Sequence, residues 1–475
     1  MRKNIFKYFF PFTIIFFSAC TTTKMAEQFS ASPVPSTFSG SQDSSTSAEI
    51  KWRSFFNDPV LTGFIDTALK NNLDLRITLQ NIEIAKANLY GAKGMFFPAI
   101  TANASAGEEK YGQYTSSYAG NSVTDITPGQ KVPNALPDYN LNLQTSWEIG
   151  VAGKLRNMKK AAAARYLESV EGTNWVTTGL IAEVATTYYQ LLALENEADI
   201  INENISLQKD AVDLVEVQKS AGRENELAVK QTQAQLLNSK SLLLETQQQV
   251  TETENYFNML LGRFPQPVSI DKSILSKATP QQLKTGIPSQ LLANRPDIRQ
   301  AEQELIASKA SVIAARADFF PSFSITAGAG FDAFDSKYLF MTPQSVAWNV
   351  LGNLTAPLIN RSAITAQFRT AKANQLQAFF NYQKSILNAF VEVQNQLSSL
   401  KNMEQIQTQK TAEVDAQNQS VETSIELFKT GRATYLEVIL AQQKALQAKL
   451  DLTEVKKSQL ITTVNIYKSL GGGWK

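Results

Sequence analysis

The chain has 475 residues, 43% of them hydrophobic and 19% charged, with no histidine and a single cysteine. Three of its 45 basic residues, Arg2, Lys3 and Lys7, fall in an N-terminal leader without acids, so the processed chain, with 43 acidic residues, stands near −1. That balance excludes the basic excess of a nucleic-acid-binding surface, and the absence of histidine removes Ser-His-Asp and Cys-His catalysis and His-bearing zinc sites.

Residues 1–19 read as a secretory signal, with a basic start, an apolar run from Tyr8 to Phe17, and small residues at Ser18 and Ala19. The run is too short to span a bilayer as a helix, which takes about 20 residues. Its end, Phe17-Ser18-Ala19-Cys20, resembles a bacterial lipobox, with Phe17 in place of the usual leucine. The resemblance implies that Cys20 carries lipid and becomes the first mature residue. As the only cysteine it has no disulfide partner. Thr21, not an aspartate, follows it, which fits transfer to the outer membrane. Residues 20–50, rich in Ser and Thr with Pro33 and Pro35, form a tether rather than a domain.

Beyond the tether, proline is absent from 138 to 264 and from 358 to the end. Both stretches are dense in Ala, Leu, Gln, Glu and Lys, which favour helix. Apolar residues at steps of 3 or 4, such as Val184, Tyr188, Leu191, Leu194, Ala198, Ile201 and Ile205, predict long helices packed as coiled coils. Four other segments alternate with period 2, at about 98–108, 138–150, 321–332 and 345–357. The clearest sets Tyr139, Leu141, Leu143, Thr145, Trp147 and Ile149 against Asn140, Asn142, Gln144, Ser146 and Glu148. Alternation over roughly ten residues is what a membrane-spanning barrel strand shows, and taken alone it equally fits a pair of soluble hairpins.

The two halves copy each other. Phe96-Phe97-Pro98 recurs as Phe319-Phe320-Pro321, and Leu260-Leu261-Gly262 as Leu470-Gly471-Gly472. Gly222-Arg223 with Leu227 recurs as Gly431-Arg432 with Leu436. Each half therefore runs helix, strand hairpin, long helix, Gly-Arg turn and returning helix. The offsets place about 16 extra residues in the first hairpin loop, between Glu108 and Asp138, where solvent tolerates insertion. The boundaries this gives are 51–262 and 296–475 for the repeats, with an equatorial connector at 263–295. The expected tips lie at 220–227 and 429–436.

Four strands cannot close a barrel, and an open edge in lipid leaves backbone groups unsatisfied. The strands must pair with other copies. Two copies would give eight strands and a lumen filled by side chains, and three would give twelve and leave room for a pore.

The sequence resembles the TolC-like outer-membrane efflux channels, in the lipoprotein branch of OprM and NodT-type factors, over about Lys51 to Lys475. Trp52-Arg53-Ser54-Phe55-Phe56-Asn57-Asp58-Pro59-Val60-Leu61 carries the opening of that resemblance. Its centre is Ile287-Pro288-Ser289-Gln290-Leu291-Leu292-Ala293-Asn294-Arg295-Pro296-Asp297-Ile298, and its close is Leu470-Gly471-Gly472-Gly473-Trp474. The resemblance implies an α+β membrane protein, a homotrimer with a twelve-stranded barrel above a coiled-coil tunnel. It implies an exit duct in the outer membrane that serves an inner-membrane pump of the resistance-nodulation-division type through a periplasmic adaptor (membrane fusion protein). It also implies no cofactor and no catalysis. The alternative with the same leader and long hairpins is a periplasmic coiled-coil adaptor or structural lipoprotein. Two hairpins with four amphipathic strands favour the channel.

Arg295-Pro296-Asp297 reads as a helix start, with proline in the first turn and an acid at the positive helix end. Neither Gly471-Gly472-Gly473 nor Gly91-Ala92-Lys93-Gly94 has the context of a phosphate loop. No Met or His cluster points to a metal site. At the two tips, Gly222, Arg223, Leu227, Gly431, Arg432 and Leu436 are expected to meet the adaptor. Related channels often carry an acid four residues after the second tip leucine. Here that position is Leu440 and the nearest acid is Glu437, so Leu436, Glu437 and Leu440 are the expected aperture residues.

Overall fold

The computed structural model describes residues 35–38, 45–150, 152–272, 274–275 and 284–475. The expected signal and lipidation site, Cys20 included, lie outside the described residues.

The first repeat opens with α1 (Pro59–Asn71) and α2 (Leu73–Gly94). Asp58 caps α1, accepting from the amides of Val60 and Leu61 at 2.8 and 3.1 Å, with Pro59 at the first helical position. Strand β1 (Ala99–Lys110) follows the Phe-Phe-Pro stop, and a loop containing the short helix α3 (Ser116–Val123) leads to β2 (Ala135–Ile149). The inserted loop thus carries structure of its own, including a small antiparallel pairing of 125–127 with 130–131.

Two long helices complete the repeat. α4 (Lys154–Ser220) has 67 residues and α5 (Glu226–Leu260) has 35. The second repeat follows the same plan: α6 (Pro296–Ala317), β3 (Ser322–Ala333), β4 (Val346–Thr355), α7 (Ser362–Lys429) and α8 (Tyr435–Ser469). α7 has 68 residues and α8 has 35, so the repeats match almost residue for residue below the sheet. At 1.5 Å per residue, α4 and α7 each run about 100 Å. No helix among the described residues is long and apolar enough to cross a membrane.

The four strands form one antiparallel sheet in chain order, β1-β2-β3-β4. Within the chain, β1 and β4 are its edges. Register fixes the faces, because residues directly opposite one another project to the same side. Ala102 pairs with Leu143, Leu143 with Ala329, and Ala329 with Trp348, all on the apolar side. Asn103 pairs with Asn142 and Thr101 with Gln144, while Gly328 pairs with Asn349, all on the polar side. On that side the Asn103 amide donates to Asn142 Oδ1 at 3.3 Å and to Gln144 Oε1 at 3.5 Å.

The largest apolar core lies midway along the long helices, where the chain gathers Trp52, Phe55, Leu61 and Ile65 against Ile181, Val184, Tyr188 and Leu192 of α4. Phe257 and Leu261 close it from the first repeat, and Val464 and Tyr467 from the second. Tyr467 stacks on Phe55 with centroids 3.9 Å apart and donates its hydroxyl to Ile50 O at 2.6 Å. A smaller cluster seats Phe38 against α7, stacked on Phe390.

Candidate functional site

Both Gly-Arg turns have the same construction. At the first, Gly222 takes φ +69°, its amide donates to Lys219 O at 2.9 Å, and the Arg223 amide reaches back to Gln218 O at 2.9 Å. At the second, Gly431 takes φ +73°, with Gly431 N to Phe428 O at 3.0 Å and Arg432 N to Leu427 O at 2.8 Å. These are Schellman closures, in which a left-handed glycine satisfies the last carbonyls of one helix so the chain can reverse. The next helices are capped at once. Asn225 accepts from the Ala228 amide at 3.0 Å. Thr434 and Glu437 make a capping box, with Thr434 N donating to the Glu437 carboxylate at 2.6 Å.

Glu437, expected at the aperture, therefore has its carboxylate committed to the start of α8. Arg223, Arg432 and three leucines are exposed at the tip. Leu227 is 64% exposed, Leu436 48% and Leu440 46%. Behind them, Val215, Val229, Phe428, Tyr435, Val438 and Ile439 form one buried cluster drawn from all four long helices. Phe428 and Tyr435 meet edge to face at 5.1 Å. The two turns, 209 positions apart in sequence, thus share one small core. Lys219 pairs with Glu226 across the first turn and holds that carboxyl below its usual range.

Sequence reasoning placed Arg295 at a helix start, and the structure adds a hub. Arg295 is the N-cap of α6 and only 2% exposed. Its guanidinium grips Asp297 through Nε and Nη2 at 3.0 and 2.8 Å, and Glu392 of α7 through Nη1 at 2.8 Å. Nη1 also donates to Ser469 O, at the end of α8, at 2.9 Å. The group lies over the Trp175 ring of α4, 5.2 Å from its centroid. Gly471 (φ +89°) passes so close to Asn294 that an added Cβ would lie 2.4 Å from its carbonyl oxygen. One buried cation therefore ties four helices together.

From this hub towards the sheet, α4 and α6 run antiparallel with charges facing across the seam. Arg299 meets Glu171 at 2.5 Å, Arg165 meets Glu304 at 4.0 Å, and Lys154 meets Asp318 at 2.9 Å. Glu168 breaks the alternation by facing Glu304. Burial first, then that neighbour, push its carboxyl up to about 7. Among the described residues no group of three or more His, Cys, Asp or Glu side chains is placed to hold a metal ion.

A sheet with one apolar and one polar face, set above helices of this length, defines a membrane channel built from repeats. The family model "Outer membrane efflux protein" matches residues 64–263 and 287–472, and the chain belongs to that family. It is 28% identical over 468 residues to the "Probable outer membrane lipoprotein SilC" of Salmonella typhimurium, with 97% of each chain covered. It is 29% identical over 456 residues to the cation efflux system protein CusC of Escherichia coli, with 94% of each covered. Among solved structures, the open state of the Neisseria gonorrhoeae MtrE outer membrane channel superposes with a TM-score of 0.82 at 24% identity, covering 95% of this chain and 98% of that one. The protein is thus an outer-membrane efflux channel, the exit component of a tripartite efflux system.

Proposed function

We propose that three copies of the chain join the edges of their sheets, β1 of one to β4 of the next, into a twelve-stranded barrel whose polar face lines an aqueous pore. The observation that carries this is a four-stranded sheet with both faces assigned by register and two edges left unpaired within the chain. An edge cannot stay open in lipid. The tether from Cys20 to about residue 50 fixes the chain to the periplasmic side of the outer membrane through lipid on Cys20, and the repeats at 51–262 and 296–475, joined through 263–295, make the wall. The protein's part is conduction without a catalytic step. What passes is set by the pump, and the names of the relatives, which range from cations to solvents, support no single substrate.

The tip is the partner surface in this reading. Gly222, Arg223 and Leu227 of one turn and Gly431, Arg432 and Leu436 of the other meet a periplasmic adaptor, which links the duct to an inner-membrane pump of the resistance-nodulation-division type. Three copies of Leu436 and Leu440, one helical turn apart, narrow the resting aperture as an apolar constriction. Single-channel recording of purified trimers in planar bilayers tests the reading. Leu436→Ser with Leu440→Ser raises conductance while the trimer survives gel filtration. An unchanged low conductance places the constriction elsewhere, and a protein that forms no trimer and no channel removes the duct reading.

A further inference from the structure

Beside the core shared by the two turns, the long helices do not pack completely. A cleft of about 540 Å³ lies between α4 and α7, with α8 supplying its buried floor. It follows α4 from Ile200 to Leu214, about 21 Å of helix. Small side chains at Ala211 of α4 and Ala445 of α8, both buried and both lining it, leave that space unfilled. Leu207 and Leu214 on its wall are 48% and 38% exposed, so the cleft opens to solvent. Its volume is that of a site for a small organic molecule, for which about 300–1,000 Å³ is usual.

The chemistry of the lining selects the occupant. Three carboxylates border the cleft, Glu203 and Asp210 from α4 and Glu422 from α7, against one base, Lys449. Lys449 lies 3.9 Å from Glu203, which leaves Asp210 and Glu422, one on each wall, without an ion pair among the described residues. At the end nearest the turns the lining is aromatic: Phe428 and Tyr435, meeting edge to face at 5.1 Å. Aromatic rings attract cations through their negative faces, and more strongly where water is excluded. Tyr435 is 3% exposed, and its hydroxyl has no hydrogen-bond partner. A buried polar atom in that condition is costly until something pairs with it, and an N–H group in the cleft would do so.

We propose that this cleft binds a small apolar cation with a ring body and an N–H donor. The rings lie along the leucines of the wall, the charge answers Asp210 and Glu422, and the N–H donates to the Tyr435 hydroxyl. The inference goes beyond the duct reading and does not depend on it, because every lining residue belongs to one chain.

The test uses purified full-length protein in a nonionic detergent and two fluorescent tricyclic probes of opposite charge, 9-aminoacridine and acridine-9-carboxylate. Fluorescence polarisation is followed as protein is added, with protein-free micelles subtracted. The cation binds saturably, at one probe per chain, and at least about tenfold more tightly than the anion. Asp210→Asn with Glu422→Gln, both at exposed positions, weakens the cation at least about tenfold and narrows the gap between the probes. Leu207→Trp, also at an exposed position, blocks the cleft and weakens both probes. Tyr435→Phe weakens the cation about threefold or more with the protein's melting temperature held, because only the unpaired hydroxyl is lost. Binding that does not saturate, that is equal for the two probes, or that survives both the double variant and Leu207→Trp unchanged overturns the inference.

Discussion

Asn72 and Arg295 occupy the same place in the two repeats and do the same job with different chemistry. Asn72 caps α2 through the Leu75 amide at 2.9 Å and donates its Nδ2 to Leu260 O, at the end of α5, at 3.0 Å. Arg295 begins α6 and donates to Ser469 O, at the end of α8, at 2.9 Å. In each repeat the N-cap residue of a 22-residue helix binds the carbonyl end of the returning one. The second repeat adds charge, and with it Asp297 and Glu392.

That difference sets the cost of removing each. Arg295→Ala leaves two carboxylates and a carbonyl around an emptied buried site and is expected to cost about 3–5 kcal/mol, the range for breaking a buried ion pair on one side. Asn72→Ala loses a cap and one hydrogen bond, about 1–2 kcal/mol. Heat-induced trimer dissociation ranks the two. If Asn72→Ala proves the more damaging, the charged hub is not what holds the second repeat.

The glycines at helix ends divide in the same way. Gly222 and Gly431 have open space where a Cβ would go, so alanine there meets only the left-handed backbone penalty, about 1–2 kcal/mol. Gly471 has φ +89° and the Asn294 carbonyl in its path, so Gly471→Ala must move backbone and should cost more than about 3 kcal/mol. Gly262 meets the Asn71 carbonyl at the same 2.4 Å and should behave like Gly471. Chemical denaturation of all four variants checks the division, and equal losses at Gly222 and Gly471 would refute it.

Much of this was legible in the sequence. The period-2 runs became strands because alternation needs only local pleating, and the proline-free stretches became helices because nothing in them breaks the ladder. The two Gly-Arg turns announced themselves by repetition. The hub was not legible, since apart from Asp297 the partners of Arg295 lie on α4, α7 and α8, and Glu392 is 97 positions away. A buried guanidinium reads in sequence like any surface arginine. Glu437 is a different case. Thr434-Tyr435-Leu436-Glu437 is a capping-box pattern, and it ties the Glu437 carboxylate to the start of α8.

Sheet facing has a one-residue test. Leu143 is 57% exposed on the apolar side of the sheet, and Gln144 projects to the other side towards Asn103. Leu143→Arg is expected to cost about 2–4 kcal/mol near the bilayer midplane, and Gln144→Arg much less. Urea unfolding from lipid vesicles measures both. Penalties in the reverse order would mean that the register is displaced by one residue.

The Glu168–Glu304 apposition predicts how stability depends on pH. An unfolded glutamate titrates near about 4.3, whereas burial and then Glu304 push Glu168 up to about 7 in the folded chain. Between those values the folded state binds more protons than the unfolded state, so this carboxyl makes stability fall as pH rises through the window and has no further effect above it. Arg165 and Gln300, which face the pair from α4 and α6, act in the opposite direction and temper the rise. Because Glu168 is only partly shielded from water, the loss from pH 5 to pH 8 should stay below about 2 kcal/mol. Glu168→Gln removes the titrating proton while keeping a group that can hydrogen-bond to Glu304. It should therefore be indifferent to wild type at pH 5, stabilising at pH 8, and flatter between them. Trimer melting temperatures across that range decide the matter: parallel pH profiles for variant and wild type would mean that Glu168 is already ionised in the folded wall.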